Sequence, residues 1–131
     1  MHDGRTLRIR TVETTILIAL GGFAGANLRY VVGDQVAGVG ATLLVNVVGS
    51  FLLGVLLYEA HYTGVLSGHT RLAVGTGFLA SFTTYSTFAL ESYGLGTPAG
   101  LGYVATSYLL AFGAVLAGRR VASELERGRF P

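Results

Sequence analysis

Four stretches of this chain, residues 12–32, 39–58, 72–93 and 98–121, are each mostly apolar over about 20 residues, the length that crosses a bilayer core. Lipid offers no partner to backbone N–H and C=O groups, so a span of this kind must satisfy them internally as a helix. The expected architecture is therefore all-α: one polytopic membrane domain over residues 1–131, with four transmembrane helices. Composition agrees, with 51% hydrophobic and only 12% charged residues and a mean hydropathy of +0.59. The connections are too short to hold a soluble module or a flexible linker.

The 20 glycines would weaken a soluble helical protein, but small residues let membrane helices approach closely. Gly21 and Gly25, Ser50 and Gly54, and Ala114 and Gly118 each stand four apart, on one face of their segments. Four short helices with small faces enclose little volume, which predicts association with another copy or a related chain.

All nine basic residues are arginine. With four spans, both termini and the middle loop share a side, which collects Arg5, Arg8, Arg10, Arg71, Arg119, Arg120, Arg127 and Arg129; the other side has Arg29. The positive-inside rule then places the termini in the cytoplasm, in a multi-pass protein of the cell membrane. These arginines flank spans and form no stripe interleaved with aromatics, which argues against nucleic acid as a partner. Arginines, a short apolar run and Ala24-Gly25-Ala26 also resemble a cleavable signal. That reading loses to the pattern formed by Gly21, Gly25, Asn27 and Arg29, described below. Cysteine is absent, and His2, His61 and His69 have no metal-ligand spacing on one helix face. No phosphate-binding loop is present.

Against this apolar background the stretch Gly77–Glu91, GFLASFTTYSTFALE, is anomalous: six of the seven residues from Ser81 to Thr87 carry a hydroxyl. A polar group moved into hydrocarbon without a partner costs several kcal/mol. Either the hydroxyls bond back to their own helix, or they line a path for something small and polar. Gly75 and Gly77 followed by Ser81, Thr83 and Thr84 make poor helix, so a break is expected here. Unwound backbone at that depth is tolerated inside protein, where freed carbonyls can coordinate a cation. Tyr85, Phe88 and Glu91 recur every three residues, which suits ordinary packing or an aromatic wall whose positive ring edges stabilise an anion. Asn46, in the middle of the second segment, shares a face with Ser50 and Gly54; its amide suits either a neighbouring helix or an anion.

Three motifs, GGFAGANLRY at 21–30, GATLLVNVVGSFLLG at 40–54 and GFLASFTTYSTFALE at 77–91, together resemble the CrcB/Fluc fluoride channels. The resemblance runs through nearly the whole chain in order. It implies passive export of cytoplasmic fluoride without catalysis, by an antiparallel dimer with two narrow pathways, either a homodimer or a heterodimer with a paralogous chain. It also implies a third helix broken mid-membrane and a structural Na+ at the dimer interface, held by the carbonyls of Ala80 and Thr83. Asn46, Tyr85 and Phe88 take the pathway positions, Thr42 and Ser107 extend the polar track, and Tyr103 matches the fourth-helix tyrosine. Arg29 matches the arginine of the first motif, near a vestibule, and Glu91 the acidic residue after the aromatic pair. The chain departs from the family at Ala80-Ser81, usually two glycines, at Phe82, usually Leu, at Tyr85, usually Phe, and at Ala111, where a polar residue can stand. The eight-to-one arginine bias suits one fixed-topology half of a heterodimer. The alternatives are a small four-helix multidrug-type exporter, whose membrane-embedded first-helix carboxylate would here have to be Glu13, and a non-conducting subunit.

Overall fold

The computed structural model describes residues 4–129, and among them every regular element is helical. His2 lies outside the described residues, as does the side chain of Arg5. The elements are α1 (Gly4–Gln35), α2 (Val39–Tyr58), α3 (Gly68–Leu72), α4 (Ala80–Phe82), α5 (Ser86–Gly94) and α6 (Ala99–Arg127). Two π-helical segments join them: Glu59–Thr63 prolongs α2, and Ala73–Leu79 links α3 to α4.

Three helical stretches, Leu7–Gln35, Val39–Thr63 and Ala99–Arg127, are long and apolar enough to cross a membrane. α2 begins and ends where its apolar segment does, whereas α1 and α6 run past theirs. At 32 residues, α1 is about 48 Å long at 1.5 Å per residue, well beyond a hydrocarbon core. Arginine and glutamate are good helix formers, so the polar flanks add turns instead of ending the helix.

The third apolar segment is no single helix. It is assembled from α3, the π-helical Ala73–Leu79, the single turn α4 and, after an interruption at Thr83–Tyr85, α5. Gly75 and Gly77 weaken the ordinary helical preference where the wider π turns run.

Glycine sets how closely these elements pack. α1 lies along the π-helical segment, with Gly21 against the Ala73 carbonyl, Gly25 against the Phe78 carbonyl and Gly77 against the Ile18 carbonyl. α2 and α6 meet in the same way, Gly54 on the Val115 carbonyl and Gly118 on the Phe51 carbonyl. A β-carbon at any of these five positions would overlap main-chain atoms. Of the expected small-residue pairs, Gly21 and Gly25 both make helix contacts of this kind, whereas Ser50 lines a cavity and only Gly54 of its pair meets a neighbouring backbone.

The buried apolar side chains are few: Val45, Leu79, Phe82, Phe88 and Tyr103. They gather around the interruption. Large outward-facing side chains such as Leu20, Phe23, Leu109 and Leu116 are exposed, as suits helices solvated by acyl chains. At one end, Glu59 closes the α2–α3 connection by accepting from the Leu66 N–H at 2.6 Å and pairing with Arg71 Nε at 2.9 Å. That hydrogen bond also holds the Arg71 guanidinium above its ordinary pKa. Gly64, at φ 60°, makes the left-handed turn that ends the preceding π-helical segment.

Candidate functional site

The interruption is built by diverting backbone donors. The Thr83 N–H still bonds the Leu79 carbonyl at 3.0 Å, as a helix would, but Thr83 itself is extended, at φ −80° and ψ 162°. The next donor, the Thr84 N–H, goes to Asn46 Oδ1 at 2.8 Å, and Asn46 Nδ2 donates to the Thr84 carbonyl at 2.9 Å. One side chain of α2 thus satisfies both main-chain groups of the residue at which the helix parts. Arg29 Nη1, from α1, donates to the Thr83 carbonyl at 3.1 Å.

The hydroxyls of Thr83 and Thr84 are committed locally. Thr83 Oγ1 bonds back to the Leu79 carbonyl at 2.9 Å, and Thr84 Oγ1 accepts from the Thr87 N–H at 3.3 Å at the start of α5. Their burial cost is therefore met within the segment. Ser107 Oγ, on α6, differs: it is buried with no hydrogen-bond partner among the described residues.

Beyond the interruption, the buried Phe88 ring meets three others. Tyr85 stands at a centroid distance of 5.8 Å, Tyr103 at 5.4 Å, and Tyr108 at 6.0 Å in an edge-on arrangement of 87°. One turn later the Glu91 carboxylate accepts from Thr42 Oγ1 and from the Tyr103 hydroxyl, both at 2.9 Å.

Two cavities flank the Asn46–Thr84 pair. The first, about 440 Å³, is lined by Asn46, Ser50, Thr83, Tyr85, Phe88 and Ser107, with Ala80 and Ala111 also on its wall. The second, about 470 Å³, is lined by Arg29, Tyr30, Thr42, Thr87 and Glu91. Thr84 borders both.

The structure thus brings together Asn46, Tyr85, Phe88 and Ser107 around one cavity, and Arg29, Thr42 and Glu91 around the other. Tyr103 lines neither; it stands behind Phe88 and reaches Glu91. The three-residue stripe is divided between the cavities, with Tyr85 and Phe88 on the first and Glu91 on the second; Tyr85, which precedes α5, is 72% exposed and Phe88 7%. Asn46 has one amide N–H committed to Thr84, which leaves the other for a ligand. Arg29, on α1, lines the second cavity and reaches the Thr83 carbonyl.

Two participants escape a reading of the sequence. Thr84 is hidden beside the identical Thr83, and its use depends on Asn46, 38 residues away. Tyr108 follows Ser107 directly, and its adjacency to a polar position was the available signal.

Ala80 and Ser81, where the family usually has two glycines, fit without strain. Ala80 is helical, at φ −64° and ψ −28°, and no described residue other than glycine has a positive φ. The Ser81 hydroxyl lies beside Gly22 of α1. Because Asn46 takes the Thr84 N–H, the Ala80 carbonyl loses its ordinary helical donor. The Ala80 and Thr83 carbonyls are main-chain oxygens, the ligand type that a hard cation takes. One chain supplies only part of such a shell, and one of its two oxygens already receives Arg29.

Residues 16–119 match the family described as CrcB-like protein, Camphor Resistance (CrcB). The chain is 56% identical over 111 residues to "Fluoride-specific ion channel FluC 1" of Haloarcula marismortui, covering 85% of this chain and 87% of that one. It is 47% identical over 121 residues to "Fluoride-specific ion channel FluC 2" of Halobacterium salinarum, covering 92% and 94%. A protein of the same name from Methanosarcina mazei is 40% identical over 110 residues, covering 84% and 87%. With its apolar helices, its interruption and this match over most of its length, the chain belongs to the CrcB family of membrane proteins.

Proposed function

We propose that this chain forms a fluoride-selective channel that lets cytoplasmic fluoride leave the cell passively. The observation that supports the reading is that two cavities share Thr84, the partner of Asn46, the first of them also lined by Phe88 and by Ser107, whose buried hydroxyl has no partner among the described residues. Among the described residues, no charged side chain lines the first cavity. An anion passing there would exchange hydration water for neutral donors: the free N–H of Asn46, the Ser107 hydroxyl and the positive edge of Phe88. Neutral donors bind weakly enough to release the ion, as conduction requires. The second cavity, with Arg29, Thr42 and Glu91, is the mouth. Neutral HF crosses membranes and dissociates in a less acidic cytosol, so an inside-negative potential drives the anion outward by about 2.3 kcal/mol per 100 mV.

In this reading α3 to α5 make the third of four crossings, with the interruption near mid-membrane and the termini cytoplasmic. Two chains pair antiparallel, and a structural Na+ sits between them on the Ala80 and Thr83 carbonyls of each. The arginine bias favours a partner chain of opposite orientation, and the numbered names of the relatives are compatible with several such chains per organism. Robust fluoride conduction by this chain expressed alone would sink an obligate partner and leave the homodimer.

The direct test is fluoride against chloride efflux from proteoliposomes. Phe88→Ile removes the ring edge but keeps an apolar side chain of similar bulk. It is expected to cut fluoride efflux at least about tenfold, the rate equivalent of about 1.4 kcal/mol on the barrier. An unchanged rate would remove Phe88 from the path.

A further inference from the structure

Three aromatic rings line the first cavity, and of these only Phe88 is buried, so its packing decides what it presents there. A phenylalanine ring turns about a broad, two-fold torsion, and its neighbours must choose its plane. The choice matters for an anion, which a ring edge attracts and a ring face repels. Two of the three aromatic neighbours of Phe88, Tyr85 and Tyr103, stand at interplanar angles of 48° and 47°, midway between stacked and perpendicular. Tyr108 differs. It is perpendicular, at 87° and a centroid distance of 6.0 Å, the edge-to-face arrangement that the ring quadrupole favours. Its own ring has a second aromatic partner, Phe112, stacked one turn later on α6 at 6.3 Å and 28°. Tyr108 lines the cavity next to Ser107, whose hydroxyl is buried without a partner.

We propose that Tyr108 is a positioning residue for the anion path: its ring fixes the plane of Phe88 so that an edge, and not the face, is turned to the passing ion. The inference rests on the fluoride reading of Phe88 given above and adds the group that sets its geometry. An edge-to-face contact biases one ring orientation over another by about two- to tenfold. The contact belongs to the ring and not to the phenol oxygen, so phenylalanine can replace tyrosine at this position and an aliphatic side chain cannot.

The test is fluoride and chloride efflux from proteoliposomes holding the full chain, arranged as a double-mutant cycle between positions 108 and 88. Tyr108→Leu is expected to lower fluoride efflux at least about threefold, with chloride efflux at the wild-type background, and Tyr108→Phe to keep most of the wild-type rate. Added to Phe88→Ile, Tyr108→Leu is expected to cost less than about 1.5-fold more, because a residue that acts through the ring then has nothing to orient. A larger further loss shows independent action and overturns the proposal. So does a Tyr108→Phe protein as slow as Tyr108→Leu, which would make the hydroxyl the working group, and so does a rise in chloride efflux, the mark of a loosened bundle. Wild-type fluoride efflux in Tyr108→Leu beside a slow Phe88→Ile rejects the positioning role and leaves the Phe88 reading standing, whereas an unchanged rate in Phe88→Ile overturns both. Where Phe88→Ile leaves too little flux for the cycle, ring-flip rates of isotope-labelled Phe88 measured by NMR decide. They are expected to be at least about threefold faster in Tyr108→Leu than in wild type or Tyr108→Phe, and equal rates reject the proposal. Should Tyr108→Leu not purify as monodisperse protein, Tyr108→Ile enters the same comparisons with the same expected values.

Discussion

Asn46→Asp is expected to lower fluoride efflux from proteoliposomes at least about a hundredfold, with Asn46→Leu equally inactive and less stable. The physical reason is the two-way bond to Thr84. Asn46 presents an acceptor to the Thr84 N–H at 2.8 Å and a donor to the Thr84 carbonyl at 2.9 Å. Aspartate keeps the acceptor but sets a second oxygen against the Thr84 carbonyl, which pushes the two apart unless the acid is protonated. As a carboxylate it also repels an anion from the wall of the first cavity, which Asn46 lines. Leucine leaves both main-chain groups of Thr84 unpartnered, at about 1–3 kcal/mol each. An efflux assay combined with size-exclusion chromatography separates the outcomes. A folded Asn46→Asp protein that conducts at the wild-type rate would show that the interruption needs no clamp and that the path lies elsewhere.

Gly25→Leu is expected to abolish the folded protein, whereas Gly113→Leu leaves yield and thermal midpoint nearly unchanged. A β-carbon at Gly25 would overlap the Phe78 carbonyl and crowd the Phe82 N–H, both main-chain groups that cannot rotate away. α1 would have to withdraw from the π-helical segment and from α4, carrying Arg29 off the Thr83 carbonyl. Overpacking of this kind costs about 1–3 kcal/mol where neighbours can shift, and more where they are backbone. At Gly113 no atom lies within 4 Å, so a leucine there meets only the surroundings of the bundle. Recovery of monodisperse protein and its melting temperature check both variants. A stable Gly25→Leu protein would mean that α1 packs less closely than described.

Much of the fold was legible because lipid makes hydropathy a direct guide to helix position. The segment at 39–58 and α2 coincide, and the glycine pair at 21 and 25 anticipated where α1 would be pressed against a neighbour. The helix ends were less legible: α1 and α6 extend beyond their apolar segments, since charged flanks continue a helix once it has begun. The hydroxyl density from Ser81 to Thr87 marked a special place, but its division did not follow from spacing. The break expected somewhere from Gly75 to Thr84 comes late in that stretch: the chain stays helical through Phe82 and departs only at Thr83. Likewise Tyr85, Phe88 and Glu91 keep the spacing of one face, yet Tyr85 and Phe88 line one cavity and Glu91, one turn further along α5, lines the other.

By itself the sequence determined that this is a membrane-embedded helical protein, and its motifs determined the family, because both depend on residue type and order along the chain. Only the tertiary structure decided where the third apolar segment opens and which groups hold it open. A helix continues until its next N–H finds a better acceptor. For Thr84 that acceptor is a side chain 38 residues away, and for the Thr83 carbonyl the donor comes from 54 residues away. No local propensity encodes partners at that distance; they exist only once α1 and α2 are packed against the segment.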